Sequence, residues 1–162
     1  MSEVNYKKQR VFRETDSVIF YDISVPSSNA ADLVVHEGAA ISPPNDHVGA
    51  KQFYIHRHQT DNNRVLQGYR TFELINPEWE NPYHIVHLDR YAGALIIPVN
   101  TYHRSISPEC GSIVINQAIR DDEFNADEEF NPVSAAQCPT LYHILATEPP
   151  IIHNERRTQD NG

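Results

Sequence analysis

The chain has 162 residues, 40% of them hydrophobic and 22% charged, which suits one domain with a sizeable core and excludes wholesale disorder. Lys and Arg total 13 against 22 Asp and Glu, a formal net charge of -9, and no basic cluster exceeds short pairs such as Lys7-Lys8 and Arg156-Arg157, which argues against a nucleic-acid partner. No apolar run approaches the length of a bilayer span and the N-terminus lacks a signal-peptide core, so no membrane partner and a cytoplasmic protein are expected, with Cys110 and Cys138 as free thiols.

Residues 1–10 are polar and charged and read as a flexible or partner-draped arm. Val11 to Arg13, Val18 to Ile23 and Leu33 to His36 are rich in β-branched and aromatic residues and separated by Ser, Asn and Pro clusters, so they read as short strands. Several such strands with turns between them point to an all-β sandwich or barrel. Ile41 to Gly49 is a loop by composition that borders the next strand. His36 and His47 are read as ordinary polar histidines.

The stretch from Gln52 to Gly68 carries the most information. At a period of two, Gln52, Tyr54, His56 and His58 share one strand face while Phe53, Ile55 and Arg57 take the other, so two imidazoles project side by side. Gln59 to Asn63 is rich in turn formers, and Val65-Leu66 returns toward a bend at Gly68. Tyr69 to Ile75 alternates as a strand, Asn76 to Pro82 forms a turn around Trp79, and Tyr83 to Leu88 is strand-like. His84 and His87, three apart, face opposite sides of that strand and are read as structural.

Gly93 to His103 joins an apolar strand, a turn containing Pro98 and a histidine that opens the next polar strand, which continues through Ser105. Pro108 to Gly111 is a hairpin turn by chemistry, with Cys110 an inert thiol in it, and Ser112 to Ile119 returns as a strand. Asp121 to Phe130 is acidic, broken by Phe124 and Phe130, and is expected to be a solvated face or a short helix docked through those two rings. Pro139 to Leu145 fits either a short helix or an edge strand. Pro149 to Gly162 is read as a loose tail unless a partner subunit holds it.

The His-x-His stretch and the stretch ending in His103 resemble the two signature motifs of the cupin superfamily. The resemblance implies a single jelly-roll β-barrel of the RmlC-like type over residues 11–120, followed by an acidic and helical or irregular extension, 121–162, packing on the barrel or on a partner subunit. It also implies three histidine ligands, His56, His58 and His103, around one divalent transition metal, with iron first and zinc, nickel or manganese as alternatives. For a fourth ligand, Asp61 has the family's distance to Gly68 but stands one residue too close to His58, whereas Asn62 has the right distance from His58 and is a poor anionic ligand.

The inward face would then carry Gln52 and Ser105 toward a small-molecule substrate, with Asn116 or Gln117 joining them according to register, and Gln117 is taken as the candidate. Tyr54 and Tyr102 are candidate acids or hydrogen-bond donors, and Glu73 is a candidate general base. The function implied first is a non-haem dioxygenase with a three-histidine centre. The alternatives are an isomerase, epimerase or cyclase of a carbonyl compound and a non-catalytic ligand-binding cupin. Pairing of single-domain cupins makes a homodimer the expected assembly.

Overall fold

A computed structural model of the chain describes residues 3–157. In chain order its elements are β1 (Asn5–Lys7), β2 (Arg10–Glu14), β3 (Ile19–Asp22), β4 (Ala30–His36), β5 (Ala40–Ser42), β6 (Gln52–Ile55), β7 (Gln59–Gly68), β8 (Arg70–Ile75), β9 (Tyr83–Leu88), β10 (Ala94–Ile97), β11 (Tyr102–Ser107), β12 (Ser112–Arg120), α1 (Ala126–Glu129), β13 (Val133–Ser134), α2 (Pro139–Thr147) and β14 (Ile151–Asn154). Strands β1, β10, β7, β12 and β4 form one antiparallel sheet in that order. Strands β13, β6, β11, β8, β9 and β14 form a second, to which β5 adds by pairing with the far end of β11. Strands β2 and β3 make a separate hairpin.

The all-β jelly-roll expectation holds with one correction. The two sheets face each other as a sandwich and do not close into a barrel, because among the described residues no strand bridges the edges at β1, β4, β13 and β14. Alternation along the strands explains the layering. Val65, Phe72, Leu74, Val86, Leu95 and Val114 interlock between the sheets, while Phe53, Ile75 and Tyr83 face outward from the second sheet beneath α2. Leu74 and Ile75 are neighbours in sequence and both fully buried, since β8 is covered on both faces.

Pro139 opens α2, where a missing N–H costs nothing, and Leu141, Ile144 and half-buried Leu145 give it one apolar stripe, so this segment is a helix rather than an edge strand. Within the N-terminal arm, Asn5–Lys7 pairs with β10 and Val4 enters the core. Gly93 admits it: a Cβ there would lie 2.5 Å from the Lys7 carbonyl oxygen. Near the other terminus β14 runs parallel to β9, and residues 158–162 of the expected tail lie outside the described residues, as do residues 1–2 of the arm. No helix among the described residues is long and apolar enough to cross a membrane.

The space between the sheets changes character along its length. On β7 the inward residues run Gln59, Asp61, Asn63 and then Val65, and on β12 Asn116 gives way to Val114. One end is therefore aliphatic and the other polar, and the polar end holds the candidate site.

Candidate active site

The polar end encloses a cavity of about 240 Å³. Strand β6 stops at Ile55, and the bend that follows is pinned where the His56 carbonyl accepts the Asn100 N–H at 2.8 Å. Asn100 itself has φ of 63°, a left-handed conformation that a short polar side chain tolerates. The His56 ring then turns inward, with Nδ1–H donating to the Glu129 carbonyl at 3.0 Å. His103, at the start of β11, is held in the same way by the Thr101 carbonyl, also at 3.0 Å.

Tying both Nδ1 atoms to carbonyls leaves both Nε2 atoms with lone pairs. They converge on one oxygen, Asp61 Oδ2, at 3.7 Å from His56 and 3.6 Å from His103, with the two rings 4.8 Å apart. The other Asp61 oxygen accepts the side-chain amides of Gln59 at 2.6 Å and Asn116 at 2.9 Å, which fixes the carboxylate plane. All three groups are buried. Burial depresses the His103 imidazole below the ordinary histidine range, His56 adds to the depression and Asp61 opposes it. Three acceptors turned toward one point repel one another unless a positive charge or a proton sits among them, an arrangement that can serve acid–base work.

The rest of the expected site is only partly gathered. Tyr54 and Ser105 line the cavity, with the Tyr54 ring 6.3 Å from His103. His58 does not join His56: the bend after Ile55 destroys the two-residue alternation, and His58 instead hydrogen-bonds Asp121 at 2.9 Å on a solvent-facing side. Asn62 is turned out of the cavity, its amide donating to the Gln117 carbonyl at 2.9 Å. Register places Asn116 inside, and Gln117 faces outward with its amide on the Ile23 carbonyl at 3.0 Å. Gln52 bonds the Pro44 carbonyl at 3.0 Å and does not line the cavity.

Glu73 and Tyr102 belong to the opposite face of the second sheet. The Glu73 carboxylate is buried there against Lys51 Nζ at 3.1 Å and accepts the Tyr83 hydroxyl at 3.3 Å. The Tyr102 hydroxyl lies 3.9 Å from Cys138 Sγ in the layer under α2, where burial raises its pKa above the ordinary tyrosine value. Neither reaches the imidazoles. His36, read as an ordinary polar histidine at the end of a strand, points between the sheets with Nδ1 2.7 Å from Ser107 Oγ, its pKa lowered to about 4 by burial and by Arg70.

Three residues of the site escape a reading by motif. Glu129 comes from the acidic run: it ends α1 buried, its carbonyl holding His56 and its carboxylate accepting the Arg57 N–H at 3.0 Å. Phe130 follows it and stands edge-on to His56 with ring centroids 5.1 Å apart, closing one side of the cavity. Arg70 is the third, and its signal was present in the sequence as a charge on the same strand face as Phe72 and Leu74.

No family model matches the chain, and no curated protein matches it. Solved structures do. The RmlC epimerase of Legionella pneumophila in complex with dTDP-4-keto-L-rhamnose matches with a TM-score of 0.61 and 10% identity over 87% of this chain and 77% of its own. The dTDP-4-dehydrorhamnose 3,5-epimerase of Bacillus anthracis, with TDP and PPi bound, matches with a TM-score of 0.58 and 15% identity over 77% and 75%. The fold is that of the RmlC-type cupins. The QdtA 3,4-ketoisomerase of Thermoanaerobacterium thermosaccharolyticum, a histidine-to-asparagine variant in complex with TDP-4-keto-6-deoxyglucose, matches with a TM-score of 0.57 and 10% identity over 82% and 88%.

These relatives in fold overturn the expected cofactor. The chain's RmlC-type neighbours are sugar-nucleotide epimerases and ketoisomerases, and the three-histidine set from which iron was inferred is broken by the diversion of His58 to Asp121. His56, Asp61 and His103 remain as a His–Asp cluster with its ligand-type atoms within 4.8 Å of one another. The expectation of a divalent transition metal is withdrawn, and with it the dioxygenase reading that depended on it.

Proposed function

We propose that this RmlC-type cupin is an isomerase or epimerase that moves a proton at a carbon next to a carbonyl in a sugar-sized substrate. The observation that carries the reading is the convergence of two carbonyl-tethered imidazoles on a single buried carboxylate oxygen beside a cavity of about 240 Å³. One Nε2 accepts the proton from carbon, the C–H electron pair passes into the carbonyl as an enolate, and the second imidazole, carrying the proton held with Asp61, returns one to carbon. Tyr54 and Ser105 are the neutral donors placed to orient the substrate, and Asn116 with Gln59 keeps Asp61 in place. The solved neighbours, an epimerase and a ketoisomerase of sugar nucleotides in complex with keto sugars, support the same chemistry.

The test is solvent-deuterium incorporation, followed by NMR, into a panel of keto sugars that includes TDP-4-keto-6-deoxyglucose and free keto-hexuronates. At least one member should exchange the hydrogen next to its carbonyl, and His56→Asn or His103→Asn should abolish that exchange. A panel that binds without exchanging any hydrogen would favour a non-catalytic binding cupin instead.

A further inference from the structure

Arg70 carries a charge that nothing in the cavity answers. The residue is 2% exposed, and among the described residues no carboxylate lies within ion-pair distance of its guanidinium. Its Nε–H donates to Ser112 Oγ at 2.6 Å, and Nη2 reaches the carbonyls of Val34 and Ser112 at 3.3 and 3.4 Å. Nη1 has only Ser105 Oγ at 3.4 Å, which leaves N–H capacity turned toward the cavity. Burial lowers its pKa to about 10, so it stays cationic at neutral pH, and its neighbour His36 is neutral there and offers no counter-charge.

A buried guanidinium without a counter-charge is costly, and a carboxylate is a group that answers its charge through the remaining Nη1 donor. Ser105 stands two residues beyond His103 on the same face of β11, about 7 Å along the strand. The stretch from the imidazoles to Arg70 therefore matches the length of a small acid. Arg70 is also the one Arg or Lys among the described residues that line this cavity. Arg120, near the same cavity, is already committed to Asp32 at 3.3 Å and Gln59 at 2.8 Å and lies over the Phe124 ring at 4.1 Å. At about 240 Å³ the cavity also falls below the roughly 300 Å³ at which drug-sized ligand pockets begin.

We infer that Arg70 is the binding residue for a substrate carboxylate, and that the site takes a compact keto acid or keto-uronate in place of a nucleotide-linked sugar. This rests on the proton-transfer reading for the choice of a keto compound, but its test is an equilibrium measurement that needs no turnover. Wild-type chain is titrated calorimetrically with glucuronate, with its neutral amide glucuronamide and with thymidine diphosphate. Glucuronate should bind at least about tenfold more tightly than the amide, Arg70→Gln should erase that difference and Arg70→Lys should retain part of it. Equal binding of acid and amide, no measurable binding of glucuronate, or tighter binding of thymidine diphosphate than of glucuronate would each overturn the assignment. The acid–amide comparison uses the wild-type protein alone, so a misfolded Arg70→Gln leaves the question decidable. Failure of deuterium exchange with acid binding intact would count against the proposed reaction and not against Arg70.

Discussion

Replacing Asp61 by Asn removes the charge at the centre of the cluster with little change of shape. The Asn oxygen keeps the amide donors of Gln59 and Asn116 at 2.6 and 2.9 Å, and its new N–H group takes the position 3.6 to 3.7 Å from the two imidazole lone pairs. The net effect on stability is then that of about one neutral hydrogen bond, roughly 1 kcal/mol. The effect on the proton is much larger. At that separation, and with an effective dielectric constant near 20, a carboxylate attracts an imidazolium by roughly 4–5 kcal/mol, and Asp61 is the group that opposes the burial-driven depression of His103. Without it no neighbouring carboxylate offsets the burial of His103, and the proposed return of a proton to carbon loses its support. Deuterium incorporation should fall by about 10²- to 10⁴-fold, while the urea midpoint moves only by the small amount worked above. A variant exchanging within about twofold of wild type would refute the claim that this carboxylate holds a working proton.

His58→Ala should leave exchange unchanged, since its ring is engaged with Asp121; abolished exchange would show that His58 works in the cavity. The Asp121 hydrogen bond raises the His58 pKa, so the pair stabilises the fold below the unfolded histidine value and that contribution disappears as pH rises through the folded value, which an NMR titration of wild type against Asp121→Asn will detect. Glu73→Gln should destabilise by about 1–3 kcal/mol in chemical denaturation, discounted because Lys51 is 40% exposed, and should leave exchange intact. His36 has its folded pKa lowered to about 4, so acid favours the unfolded state: stability falls as pH drops from the ordinary histidine value toward about 4, and His36→Gln should flatten that slope. The expected homodimer remains a proposal, with a second copy covering Leu33 and Val35, 64% and 49% exposed on the edge strand β4; light scattering should give a dimer mass, and Leu33→Lys with Val35→Lys a monomer.

What could be read from the sequence follows from how local each signal is. Period-two alternation located β8, because it depends only on the backbone pleat, whereas in β7 the run Gln59 to Asn63, expected as a turn from its polar composition, is strand and only Val65-Leu66 reads as such. His103 and Asp61 were reached through the resemblance to the two cupin motifs. His58 was misplaced by the alternation rule, since alternation holds only while the chain stays extended, and the bend after Ile55 is imposed by a contact with Asn100, which lies far along the chain. Gln117 was chosen over Asn116 because two adjacent polar residues on a strand differ only by register, which is set by the pairing of β12 with β7.

Glu129 and Arg70 show where local reading ends and what the remaining charges mean. An acidic run is ordinarily a solvated face, and Glu123 behaves so, yet Glu129 is drawn inside because Phe130 beside it packs on the ring of His56 and brings the end of α1 over the site. The buried charges then divide by face. Outside the second sheet, Glu73 meets Lys51 and the Tyr83 hydroxyl, so its charge is answered within the fold. Inside, Asp61 is met by two amides and two imidazoles, whereas Arg70 is met by hydroxyls and carbonyls that carry no charge. A cavity whose one Arg or Lys among the described residues, on the strand beside His103, meets no carboxylate has a polar asymmetry that an anionic substrate completes.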